Sequence, residues 1–189
     1  VIWSDVEESA YYEKYGVPYQ GDEYNEIYGG DGADFIVSAS GNNYIDAGSG
    51  NDYIKLLWPT EHSEDSLYID TGAGNDAIWA EGAMEFIYQM RADGDHDTIL
   101  NDSVNTSWGF PPRINIDLGG LSYSDVTIYW DVPSSSGTKM GDLAIVVNTT
   151  GASLFIPNVT GDVSASQGVS QDTLDIYING DEFDSRYTT

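Results

Sequence analysis

The sequence predicts an all-β protein whose strands come in two successive styles. Three observations carry that prediction. Isoleucine recurs at a nine-residue spacing through the first half, behind glycine-rich turns. From about residue 113, longer strands alternate between inside and outside positions. No convincing amphipathic helix is found in either half.

The repeat is justified residue by residue. Isoleucines stand at Ile27, Ile36, Ile45, Ile54, Ile69, Ile78, Ile87 and Ile99, in steps of 9, 9, 9, 15, 9, 9 and 12 residues. Six extra residues fall near "LLWPTEHSED" and three near "QMRAD". Two positions before most of the isoleucines sits a carboxylate or amide: Asn25, Asp34, Asn43, Asp52, Asp76, Glu85 and Asp97, with Leu67 the exception. Glycines precede them, as in "AGSGNDYIK" (47–55) and "TGAGNDAIW" (71–79). Each unit reads as a tight turn followed by a three-residue strand whose central residue points inward. Such turns need positive φ and bring carbonyls close to one point, which glycine allows.

Outside the repeat, residues 1–20 ("VIWSDVEESAYYEKYGVPYQ") have mixed polarity and read as a cap on the first coil. The opening lacks a basic stretch and a cleavage site, so it is expected to be internal to a longer chain. In the second half, Ile114/Ile116/Leu118, Val126/Ile128/Trp130, Leu143/Ile145/Val147, Leu154/Ile156 and Leu174/Ile176/Ile178 alternate along candidate strands. They read as an antiparallel sheet or small sandwich joined to the first half. The expected organisation is a cap (1–20), a repeat region (21–100) and an antiparallel layer packed on it (101–189), forming a single compact unit.

Composition narrows the function. The chain carries 32 acidic against six basic residues, a formal charge of −26. Nucleic acid and anionic membranes need a basic footprint and are poor partners. No apolar run is long enough to span a membrane as a helix. With 40% hydrophobic and 13% aromatic residues, the chain can still bury a core. It holds no cysteine, so any staple against its self-repulsion must use oxygen ligands, which suit calcium rather than zinc.

One stretch, "GGDGADFIV" (29–37), matches G-G-x-G-x-D-x-U-x at every specified position, with Ile36 as U. In this the chain resembles the RTX (repeats-in-toxin) calcium-binding proteins over residues 20–100. The resemblance implies a parallel β-roll, or β-solenoid, with two nonapeptides per coil and several calcium ions between successive turns on one edge. Sorting alternate units puts turns 29–34, 47–52, 71–76 and about 92–97 on a single edge, ending in Asp34, Asp52, Asp76 and Asp97. Up to three ions are expected there. Asp95 would join the last rung, and carbonyls of Gly29, Asp31, Ala47, Ser49, Thr71 and Ala73 would complete the ligand set. The opposite edge carries Asn25, Asn43, Leu67 and Glu85 and departs from the pattern.

No catalytic set was found: G-x-S-x-G and H-E-x-x-H are absent, as is a cysteine nucleophile, and the chain is expected not to be an enzyme. "DGDHD" (93–97) fails as an EF-hand because Thr98 and Val104 stand where glycine and glutamate are needed. Tyr44, Tyr68 and Phe86, each preceding an isoleucine, are expected to form an outward aromatic stripe. An inserted loop carries Trp58, and Arg91 is a candidate carboxylate receptor. The size and aromatic content resemble peptide-binding domains of large RTX adhesins. This implies a monomeric, extracellular, cell-surface module that captures protein C-termini, or glycans, on a host surface. The other reading is the structural calcium-binding region of an RTX enzyme or toxin that passes through type I secretion.

Overall fold

The computed structural model of the chain describes residues 2–4, 24–38, 42–57, 67–81, 85–101, 113–131, 140–160, 175–179 and 181–182. In chain order the strands are β1 (Ile2–Ser4), β2 (Tyr24–Tyr28), β3 (Phe35–Ser38), β4 (Asn42–Asp46), β5 (Tyr53–Leu57), β6 (Leu67–Asp70), β7 (Ala77–Glu81), β8 (Glu85–Gln89) and β9 (His96–Asn101). They continue as β10 (Arg113–Asp117), β11 (Val126–Asp131), β12 (Met140–Val147), β13 (Ser153–Thr160), β14 (Asp175–Ile178) and β15 (Asp181–Glu182). The only helical piece among the described residues is a 3₁₀ turn, Tyr123–Asp125.

Successive strands of the repeat alternate between two sheets, so each coil takes two nonapeptides. The first sheet runs β1-β3-β5-β7-β9-β13-β12-β11, and the second β15-β14-β10-β8-β6-β4-β2. Pairing within the repeat is parallel and in step: Ile36, Ile54, Ile78 and Ile99 are register partners in one sheet, and Ile27, Ile45 and Ile69 in the other. All seven are buried. The nine-residue spacing thus places one isoleucine per strand into a shared interior, each contributing about 1.5–3 kcal/mol by leaving water.

The ladder changes at β8. Counting from Ile78 places Ile87 inside, but the pairs are Leu67↔Phe86, Tyr68↔Ile87 and Ile69↔Tyr88. Phe86 and Tyr88 are buried while Ile87 is only half-buried. Shifting the pleat by one residue exchanges the faces of a strand. Here it buries two large rings in place of one isoleucine. Phe86 is therefore a core residue and does not belong to the outward stripe.

The strands after residue 113 lengthen both sheets edge to edge rather than lying over them as a layer. β10 adds in parallel to β8, and β14 in parallel to β10. β13 adds in parallel to β9, followed by the antiparallel strands β12 and β11. The open edges of the last coil are thereby paired, which removes exposed N–H and C=O groups. The alternating residues Ile114, Ile116, Leu118, Leu143, Ile145, Val147, Leu154 and Ile156 carry the same core onward. Of residues 1–20, only β1 is described, and it pairs with the outer edge of β3.

Turns stack as closely as strands do. A Cβ at Gly72 (φ +87°) would lie 1.8 Å from the Gly48 carbonyl oxygen, whereas one at Gly30 (φ +93°) would meet nothing within 4 Å. Gly30→Ala is expected to cost about 1–2 kcal/mol, the left-handed penalty alone. Gly72→Ala should cost clearly more, because backbone must also move. Thermal unfolding of both variants in saturating calcium checks this ordering.

Candidate metal centre

The turn edge is built from the main chain. Asp31, Ser49 and Ala73 form successive parallel bridges. The Gly32 N–H donates to the Ser49 carbonyl at 2.6 Å, and the Gly50 N–H to the Ala73 carbonyl at 2.7 Å. Along this stack the aspartates form a chain of their own. Asp34 N–H donates to Asp52 Oδ1 at 2.7 Å, Asp52 N–H to Asp76 Oδ1 at 2.7 Å, and Asp76 N–H to Asp97 Oδ1 at 2.9 Å. Each carboxylate is held through Oδ1 by the turn before it, and in Asp52 and Asp76 the second oxygen, Oδ2, takes no hydrogen bond.

Those second oxygens show that a cation fits. Asp52 Oδ2 and Asp76 Oδ2 are buried and have no hydrogen-bond partner. Burial pushes the Asp76 carboxyl up to about 7, with the Asp97, Asp52 and Asp95 charges adding to the effect. Asp52 and Asp97 are also raised, chiefly by burial. Two unit charges one strand spacing apart, ~4.8 Å, repel by about 3.5 kcal/mol at an effective dielectric of about 20. Among the described residues, no three acidic or histidine side chains converge. A cation here therefore draws main-chain carbonyls as well as carboxylates, a hard-oxygen set that suits calcium. The Ser49 and Ala73 carbonyls each accept one hydrogen bond and keep a second lone pair.

The other expected ligands fall on the same edge. Gly29 and Ala47 approach closely, since a Cβ at Gly29 would lie 2.2 Å from the Ala47 carbonyl oxygen. Asp31 accepts from the Ser49 hydroxyl at 2.8 Å. Asp95 Oδ2 accepts from the Gly74 N–H at 2.7 Å. Thr71 is buried, and its hydroxyl donates to Asp97 Oδ2 at 3.0 Å. On the opposite edge Asn43 is buried, and its amide donates to the Ser38 hydroxyl at 3.0 Å. Asn25 and Glu85 have side chains outside the described residues, and Leu67 is a core residue.

Of the candidate ligand residues, Trp58 lies outside the described residues. Tyr68 lies in β6, and Arg91 follows β8, the neighbouring strand of the second sheet. Tyr68 stacks on Tyr44 with ring centroids 5.4 Å apart and planes 11° from parallel, and its hydroxyl bonds to Gln89. The Arg91 charge is felt by both tyrosines. Its guanidinium is not an open receptor, however: Nε and Nη2 clamp the buried carboxylate of Asp70. A second aromatic row, on the first sheet, was not singled out from the sequence. Phe35 stacks on Tyr53 at 5.3 Å, Tyr53 meets Trp79 edge-on at 6.5 Å, and Lys55 Nζ lies 4.7 Å from the Trp79 ring centre. The rule that picked out Tyr44 and Tyr68 finds Phe35 and Tyr53 as well, for both precede an inward isoleucine.

Fold and edge together define a parallel β-roll with a cation-binding turn ladder. The comparison with family models agrees: residues 21–54 match the RTX calcium-binding nonapeptide repeat, in four copies. Over these residues the chain carries RTX calcium-binding repeats, and calcium is the ion that such repeats bind. The match spans turns 29–34 and 47–52. A search of curated proteins and one of solved structures returned no match. Asp34, Asp52 and Asp76, with the stacked turn carbonyls, would hold the ions, and bound calcium supplies the positive charge that the buried oxygens lack.

A pH dependence follows from the raised carboxyls. Without calcium, the folded chain holds a proton on Asp76 up to about 7, while the unfolded chain loses it near 3.8. The folded state then binds more protons across that window and loses stability as pH rises through it. In chelator, the folded fraction measured by circular dichroism should increase as pH falls from 8 to 5. In calcium, the same acidification should weaken the metal affinity, because protons compete for the same oxygens. Calcium-free folding that is flat between pH 5 and 8 would contradict this electrostatic reading.

Proposed function

We propose that the chain is a calcium-ordered, non-catalytic ligand-binding module of a bacterial RTX adhesin. It would take a peptide or protein C-terminus from a host surface onto the outer face of its second sheet. RTX calcium-binding repeats occur in secreted, extracellular proteins, and the proposal places this chain, as a monomer, at the cell surface. The observation that carries it is the half-buried Tyr44–Tyr68 stack beside Arg91. Tyr28 extends the row, 6.3 Å from Tyr44 and 60% exposed. Tyrosine offers apolar contact and a polar tip at low entropic cost, and arginine supports carboxylate recognition. Among the described residues, the C-terminal strands β10 and β14 extend this sheet at its edge. Calcium acts at a distance, by holding the coils in register.

The second reading is that the chain is a structural calcium-binding region of a type I-secreted RTX enzyme or toxin. The Arg91–Asp70 clamp favours it, because a ligand carboxylate must compete with Asp70 for the guanidinium. A peptide and glycan array probed with and without calcium separates the two. The adhesin reading expects calcium-dependent capture of peptides with free C-termini. Tyr68→Ala should weaken that capture by about 2 kcal/mol, roughly thirtyfold. No capture of any probe, or capture unchanged in Tyr68→Ala, would sink the proposed site.

A further inference from the structure

The space between turns 71–76 and 90–97 differs from the two before it. We infer that it takes no calcium, because Tyr88 and Thr71 close the ladder on Asp97. The inference rests on the Asp34–Asp52–Asp76 edge being the calcium edge and adds where that edge stops.

Three independent observations support it. First, the oxygen of Asp97 that matches the unpartnered Oδ2 of Asp52 and Asp76 is occupied. It accepts hydrogen bonds from the Tyr88 hydroxyl and from Thr71 Oγ1. With Oδ1 taken by the Asp76 N–H, both oxygens of this carboxylate have protein donors. Second, the main-chain bond that spans the first two spaces is replaced in the third. Gly32 and Gly50 donate to carbonyls of the next turn, whereas Gly74 donates to the Asp95 side chain. Third, the last turn stands off from its neighbour. A Cβ at Gly48, Gly50, Gly72 or Gly74 would lie 1.8–2.2 Å from a carbonyl oxygen of the preceding turn. One at Gly94 would meet only the Thr150 carbonyl oxygen, at 3.8 Å. The bridge series likewise ends at Ala73.

The sequence origin of the cap is the inverted strand β8. The pleat shift that replaces an inward isoleucine by Tyr88 also delivers its hydroxyl to Asp97. Thr71 opens its turn where Gly29 and Ala47 open theirs, and of the three it alone carries a hydroxyl. Two O–H donors thus satisfy a half-buried carboxylate without a counter-ion, so the described edge binds two calcium ions and ends on hydrogen bonds.

Native mass spectrometry of the full chain at saturating calcium tests the cap, with folding verified by circular dichroism. Asp76→Asn should bind fewer ions than the unaltered chain. Asp97→Asn should bind as many, with a lowered thermal midpoint. Should Asp97→Asn fail to fold, Tyr88→Phe keeps the carboxylate and removes one donor; it too should lose no ion. Loss of an ion in folded Asp97→Asn or Tyr88→Phe would overturn the inference. If Asp76→Asn retained every ion, the calcium edge itself would be misplaced, a result distinct from failure of the cap.

Discussion

The structure depends on one constraint: carboxylates stacked one strand apart and largely shielded from water. Asp52 and Asp76 are each only 2% exposed, and each holds one oxygen on a backbone N–H and leaves the other without a donor. Burial and like charge make that arrangement costly for the protein alone. A cation between turns removes both costs at once. The parallel coils, the close glycine contacts and the isoleucine interior all require the turns to lie at the spacing that the carboxylates resist.

The same constraint explains why the two edges and the two ends differ. On the opposite edge, Asn43 is neutral, and its amide finds its partner in Ser38. At the far end, hydroxyls on Asp97 take over from metal, and the regular stacking of turns stops with them. The sheets then continue on ordinary strand pairing, using buried residues of the same kind but without glycine turns at each rung. Calcium is thus concentrated where main chain and charge are most crowded. The outer faces are left to aromatic rows that the metal positions but does not touch.

Much of this was legible in the sequence because the repeat is so short. A nine-residue period leaves little freedom: it sets which residues face inward, which turns stack and which aspartates align. The placement of Asp34, Asp52 and Asp76 on one edge followed from the two-edged coil that the RTX resemblance implies. Strand β8 was misread because period counting assumes constant phase, and the burial of Phe86 and Tyr88 outweighed it. The sequence offers Arg91 as a candidate receptor but does not show its partner, Asp70, which lies 21 residues away and meets it only across a coil. The edge-on addition of β10, β13 and β14 could not be read either, since alternation identifies a strand but does not name its neighbour.

The central claim is that calcium holds the aspartate ladder together. Amide hydrogen exchange at Asp34, Asp52 and Asp76, whose N–H groups each bond to the next carboxylate along the stack, measures that directly. In calcium at neutral pH these three amides should be strongly protected, and in chelator all three should lose protection together. Native-level protection that persists in chelator would show that the ladder stands without metal and would contradict the account.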